Sequence, residues 1–123
     1  MAVRGIRGAT TADDGGREAV LRATADLLQS VVEANGVDPD DVAAVHFTTS
    51  PDLVAEFPAV AARDTLGWDA VPLLCGHEMA AKHGQERCIR ILVLWNTERL
   101  QRDIKHVYLK EAANLRSRQD TVK

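Results

Sequence analysis

The chain has 123 residues, 46% of them apolar, which fits one domain with a single packed core. Its 15 basic and 18 acidic residues leave a net charge of −3, which excludes the electrostatic footprint of a nucleic-acid binder or a polybasic membrane-surface protein. Eleven of the 15 are Arg, whose planar fork matches carboxylates; an Arg-favouring codon bias accounts for the same count, and composition does not separate the two.

In chain order, Val3 to Thr10 reads as a first strand, flexible at Gly5 and Gly8. The loop Asp13-Asp14-Gly15-Gly16 leads into a helix from about Arg17 to Asn35, where Val20, Ala23, Leu27, Leu28, Val31 and Val32 form one apolar stripe. Gly36 suits a C-cap, and Asp38-Pro39-Asp40-Asp41 a short capped turn. Val42 to Thr49 is β-branched and partly alternating, hence a strand. Ser50-Pro51-Asp52 marks a turn, Ala59 to Leu66 a short helix after Pro58, and Val71 to Cys75 a short strand. The clearest strand runs from Cys88 to Trp95, and a last short one covers His106 to Leu109. The expected fold is α+β: a mixed five-stranded sheet with one long helix on one face, leaving the other face to be covered by another subunit.

Cys75 and Cys88 show neither CxxC spacing nor a disulfide framework. Met1 to Gly5 lacks the apolar core of a signal peptide, and the apolar run Ile91–Trp95 falls far short of the ~20 residues a membrane span needs. A cytoplasmic protein with reduced thiols and no membrane partner is expected.

Arg90 is the most informative residue. Along its strand Cys88, Arg90, Leu92 and Leu94 share one face, and Ile89, Ile91, Val93 and Trp95 the other. A charge inside such a strand needs a partner, because an unpaired buried charge is very costly. A structural ion pair and a guanidinium aimed at an anionic ligand both satisfy that need. Arg7 repeats the pattern on the first strand beside Val3, Gly5 and Ala9, whose small side chains leave room for a ligand. Two such arginines favour a dianionic small molecule. Glu78 is placed to accept from a ligand hydroxyl or to stand as a solvated loop residue, and Tyr108 to reach a carboxylate or to fill the core.

Other chemistries fit less well. Cys75-Gly76-His77-Glu78 with His83 resembles a metal cluster, but the two histidines are six apart and not the four of HExxH, and no second Cys completes a zinc site. Cys75 with His77 or His106 as base lacks any nucleophile elbow or triad signature. Gly5-Ile6-Arg7-Gly8 is neither a P-loop nor a dinucleotide fingerprint. Neither a metal nor a cofactor is expected.

Several separated blocks together resemble a known family. They are Arg4-Gly5-Ile6-Arg7-Gly8-Ala9-Thr10-Thr11; Pro51-Asp52-Leu53, Phe57-Pro58-Ala59 and Arg63; Gly67-Trp68 and Val71-Pro72; Cys75, Glu78-Met79 and Cys88-Ile89-Arg90; His106-Val107-Tyr108-Leu109 and Leu115-Arg116. In this order and spacing the chain resembles the monofunctional chorismate mutases of the AroH class from Val3 to about Arg116. The resemblance implies a single domain over residues 1–116, and residues 117–123 read as a polar, mobile tail. It implies a homotrimer whose sheets form a pseudo-α/β barrel with active sites between subunits. It implies the concerted [3,3] rearrangement of the dicarboxylate chorismate to prephenate, toward phenylalanine and tyrosine, without feedback regulation. Residue by residue, Arg7 and Tyr108 resemble the groups that hold a carboxylate, and Arg90 the one that reaches a carboxylate and the ether oxygen. Glu78 and Cys75 look like the groups near the ring hydroxyl. Phe57, Ala59, Leu73, Leu74 and Leu115 would line the apolar part of the cleft, with Arg63 and Arg116 at its mouth. Two positions depart from the family pattern: Val60 replaces a common Lys at the rim, and Leu74 a common Thr. The competing classes are a trimeric enamine or imine deaminase of similar architecture, which also grips a carboxylate with Arg, and a non-catalytic carboxylate-metabolite sensor.

Overall fold

A computed structural model describes residues 1–115; Arg116 and the tail over 117–123 lie outside the described residues. The strands are β1 (Ala2–Thr11), β2 (Val42–Thr49), β3 (Leu73–His77), β4 (Cys88–Thr97) and β5 (Val107–Tyr108), with one long helix, α1 (Arg17–Asn35). They form one mixed sheet in the order β3-β2-β4-β1-β5. β4 runs antiparallel to both β1 and β2, whereas β2–β3 and β1–β5 are parallel.

The helix bounds match the sequence expectation because both ends carry strong stops. Glycines precede it, and Gly36 closes it with φ 73°, its N–H donating to the Val32 carbonyl at 2.7 Å. The apolar stripe lies on the sheet: Leu27, Leu28 and Val31 are fully buried with Ile6, Val45, Phe47, Ile91 and Val93, and Val20 with Leu53 and Ile89. Gly8 permits the close approach of α1 to β1. A Cβ there would sit 3.0 Å from Ile91 Cγ1 and 3.2 Å from Leu27 Cδ1. Asp38 caps the turn at Pro39–Asp41, its side chain accepting from the Asp40 N–H at 3.0 Å.

Five expected elements shift; β1 gains a residue at each end, and β4 runs on past Trp95 to Thr97. The strand placed at Val71 to Cys75 occupies Leu73–His77: Pro72 has no N–H to give the ladder, and pairing with Thr48 and Thr49 carries the strand on through Gly76 and His77. The helix expected over Ala59 to Leu66 forms over residues 59–65, but Ala61–Thr65 winds as a π-turn, closed by the Leu66 N–H on the Ala61 carbonyl at 3.2 Å. The last strand shortens from His106–Leu109 to Val107–Tyr108. It is anchored from the helix end by Asn35, 1% exposed, whose amide donates to the Lys105 carbonyl and accepts from the Lys105 N–H, both at 2.9 Å.

The two sheet faces differ in kind. One is sealed by α1; the other displays Val3, Leu74 and Leu92, exposed to 54%, 63% and 38%, and among the described residues the segment bearing Ala112 and Leu115 packs on it, against Ala9 and Cys88. No helix among the described residues is long and apolar enough to cross a membrane.

Candidate active site

Strand register assembles the site on the open face. Directly paired residues share a face, so Tyr108, Ala9, Arg90, Thr48 and Gly76 form one row across all five strands. The adjacent row holds Arg7, Leu92, His46 and Leu74. Arg7, Glu78, Arg90 and Tyr108, far apart in sequence, thereby line one cleft of about 310 Å³ with His46, Thr48 and Leu92. A small residue opens its floor: Ala9 stands between Arg90 and Tyr108, where a larger side chain would fill the space.

Each group has a local reason for its place. Arg90 sits mid-strand on β4, where pairing on both sides fixes its backbone. Its guanidinium faces Glu78, with Nε 3.6 Å from Oε2, and both side chains are 40% exposed. The charged strand residue is thus paired inside the chain and still open to the cleft. Glu78 follows β3, pinned by its N–H on the Thr49 carbonyl at 2.7 Å, and its Oε2 accepts from the Thr48 hydroxyl at 2.8 Å. The Arg7 N–H donates to His106 Nδ1 at 2.9 Å, tying the β1 residue to the segment entering β5. The Leu109 N–H on the Ala9 carbonyl at 2.9 Å closes the other end of that short strand.

The remaining expected residues lie elsewhere in a single chain. Cys75 pairs with Phe47 and so faces the helix side of the sheet, opposite Arg90. It lines a second groove of about 300 Å³ at the β3 edge with Phe57, Pro58 and His77. Burial pushes the Cys75 thiol up, partly countered by the Ala59 N–H, the reverse of what a thiolate nucleophile needs. His77 turns to Thr49, its Nδ1 3.1 Å from the hydroxyl, and away from any base role toward Cys75. Phe57 is 68% exposed, on a loop fastened to α1 by Arg17 Nε and Glu56 at 2.8 Å. Ala59 and Leu73 pack partly buried against the main core. Arg63 pairs with its neighbour Asp64 at 3.2 Å. Leu74 is exposed on the outer row, and Val60 is half-buried. Leu115 is buried with Ala9, Cys88 and Ala112 in a small cluster, with Tyr108 packed on it. Arg116, expected at the mouth, lies outside the described residues.

Sequence reasoning missed Thr48 and His46. The alternation in β2, with Val45, Phe47 and Thr49 buried and His46 and Thr48 turned outward, is the signal that could have found them. Among the described residues no cluster of three or more His, Cys, Asp or Glu is placed to hold a metal ion.

A strand-borne guanidinium beside a second arginine, a carboxylate and a tyrosine suits a small polar ligand carrying carboxylates and a hydroxyl. The comparisons with known proteins agree. The family model described as chorismate mutase type I matches residues 3–119. The chorismate mutase AroH of Thermus thermophilus is 47% identical over 115 residues, 93% of each chain. The Bacillus subtilis chorismate mutase AroH is 41% identical over 116 residues, 94% of this chain and 91% of that one. A solved chorismate mutase from Clostridium thermocellum, 41% identical, superposes with a TM-score of 0.87 over 89% of this chain and 97% of its own. With its fold, its blocks of sequence and nearly its whole length shared, the chain belongs to the chorismate mutase type I family.

Proposed function

We propose that this protein is a chorismate mutase, an isomerase of aromatic amino acid biosynthesis, and that the Arg7–Glu78–Arg90–Tyr108 cleft is its active site. One observation carries the assignment of the site: the strand register that sets Arg90 beside Tyr108, Thr48 and the Arg7 row on one open face.

Chorismate is a dianion that rearranges within itself. A C–O bond breaks as a C–C bond forms, and no proton or covalent intermediate passes through the protein. In the polarised transition state the C–O bond lengthens and negative charge gathers on the ether oxygen. A catalyst then needs a cleft that selects the compact, chair-like conformer and a fixed cation at that oxygen. Arg90 supplies the cation from a backbone fixed on both sides, so little reorganisation is needed when charge develops. Arg7 and Tyr108 grip carboxylate, and Glu78 accepts from the ring hydroxyl.

Copies packed side by side bring together the residues that one chain keeps apart. Phe57, Ala59, Arg63, Leu73, Leu74 and Cys75 belong to the β3 edge and its neighbouring loop, and they reach the cleft from an adjacent copy. The open sheet face, with Val3, Leu74 and Leu92 outward, is the surface against which such copies pack. A homotrimer enclosing a pseudo-barrel satisfies both needs, and it operates in the cytoplasm.

Two measurements test this reading. Purified protein incubated with chorismate is expected to abolish its ultraviolet absorbance with prephenate as product. Ammonia release from an enamine or imine acid with chorismate untouched would favour the deaminase, and saturable binding without turnover the sensor. Sedimentation equilibrium is expected to give about three times the 13.4 kDa chain mass. An active monomer would overturn the shared site.

A further inference from the structure

The Glu78 carboxylate follows β3, yet it is held from β2. The Thr48 hydroxyl donates to Glu78 Oε2 at 2.8 Å, while Arg90 Nε stops 3.6 Å from the same oxygen. Pairing of β2 with β4 sets Thr48 opposite Arg90, so hydroxyl, guanidinium and carboxylate converge on one atom. A guanidinium–carboxylate hydrogen bond ordinarily closes to about 2.7–2.9 Å, and bidentate pairing is the common form. At 3.6 Å the pair feels Coulomb attraction without a formed hydrogen bond. The oxygen nearest Arg90 is thus already engaged by a neutral donor.

We propose that Thr48 is a positioning residue for the rearrangement. Its hydroxyl fixes the Glu78 carboxylate through Oε2, which leaves Oε1 for a substrate hydroxyl. It also keeps Arg90 from collapsing into a close ion pair that would spend its charge on the protein. The inference rests on the reading that Glu78 and Arg90 both face substrate. A valine at this position would suit a β-strand at least as well as threonine, so strand formation alone gives no reason for the hydroxyl.

Steady-state kinetics with chorismate test the proposal in four single variants, Thr48→Val, Thr48→Ala, Thr48→Ser and Glu78→Ala, and in the double variant that combines Thr48→Val with Glu78→Ala. Losing a hydrogen bond to a charged group is expected to lower kcat/KM about tenfold in Thr48→Val and Thr48→Ala, chiefly through kcat. Thr48→Ser is expected to restore activity to within about twofold of the parent, since it returns the hydroxyl. In the Glu78→Ala background Thr48→Val is expected to add no further loss, because both changes remove the same interaction. Parental activity in Thr48→Ala overturns the proposal even if Thr48→Val fails to fold, as does a Thr48→Ser variant as impaired as Thr48→Ala. Full additivity with Glu78→Ala overturns it too. If Glu78→Ala is itself fully active, the reading of Glu78 as a substrate contact fails and this inference fails with it. An impaired Glu78→Ala beside an unimpaired Thr48→Ala refutes the positioning role alone.

Discussion

Asn35 closes the long helix outside the cleft, and its removal should reach Arg7 and Tyr108 through one short strand. Its side-chain amide donates to the Val31 and Lys105 carbonyls at 3.1 and 2.9 Å and accepts from the Lys105 N–H at 2.9 Å. Asn35→Ala deletes both ties to Lys105 and leaves that peptide's N–H and carbonyl without their partner. Each such group costs about 1–3 kcal/mol when buried. Lys105 is at the surface, so water makes good part of the deficit and the lower end applies to both, about 2 kcal/mol in total. For a chain of this length that lowers Tm by about 6–12 °C. The damage is directional: His106, next in sequence, accepts the Arg7 N–H, and Val107–Tyr108 pairs with Gly8–Ala9. KM for chorismate should therefore rise with the loss of stability, because Arg7 and Tyr108 are loosened together. Thermal unfolding followed by circular dichroism and initial rates at 20 °C below Tm measure the two effects separately. A variant melting within about 1 °C of the parent, with unchanged KM, would refute the claim that Asn35 anchors this side of the cleft.

Three further outcomes follow from the same geometry. Cys75→Ser and Cys75→Ala should each keep kcat within about tenfold of the parent, because a thiol raised by burial serves as a polar contact and not as a nucleophile; rapid-mixing kinetics showing complete loss would favour covalent chemistry. Glu56 is held below the ordinary carboxylate range by the Phe57 N–H and then by the Arg17 guanidinium. A carboxylate with a lower value folded than unfolded stabilises above the unfolded value of about 4.3 and loses that contribution as pH falls through the folded one, so Tm measured from about pH 5 to 3 should decline less in Glu56→Gln than in the parent. An equal decline in both would show that Glu56 does not couple the loop bearing Phe57 to α1. Gly36→Ala should cost about 1 kcal/mol in urea unfolding, since φ of 73° is strained for any side chain with a Cβ; an unchanged midpoint would contradict the cap assignment.

How much of this was legible beforehand varies from element to element. The long helix could be bounded because its apolar stripe is periodic and glycines stand at both ends, all local information. β3 could not be, since Pro72 and the pairing beyond Cys75 matter only once β2 lies alongside. The π-turn at Ala61–Thr65 is likewise invisible in a pattern that tolerates either helical winding. Arg7 and Arg90 stood out because a charge on a largely apolar strand demands an explanation. Thr48 and His46 did not, because an outward-facing polar residue on β2 becomes part of a site only through its register with β4. Cys75 shows the converse: it falls within a matching block of sequence, yet the pleat turns it away from Arg90 in a single chain. Sheet order and register are non-local, and the cleft is a product of both.

The central claim is that a fixed positive charge at Arg90 stabilises the developing charge on the ether oxygen. Replacing Arg90 with citrulline, which keeps the planar shape and the Nε–H but exchanges one terminal NH2 for a carbonyl oxygen and so removes the charge, tests it most directly. Pre-steady-state and steady-state turnover of chorismate are expected to fall about 10²–10³-fold or more, about 3–4 kcal/mol, with Tm unchanged within a few degrees. A citrulline variant that folds and retains the parental kcat would contradict the account.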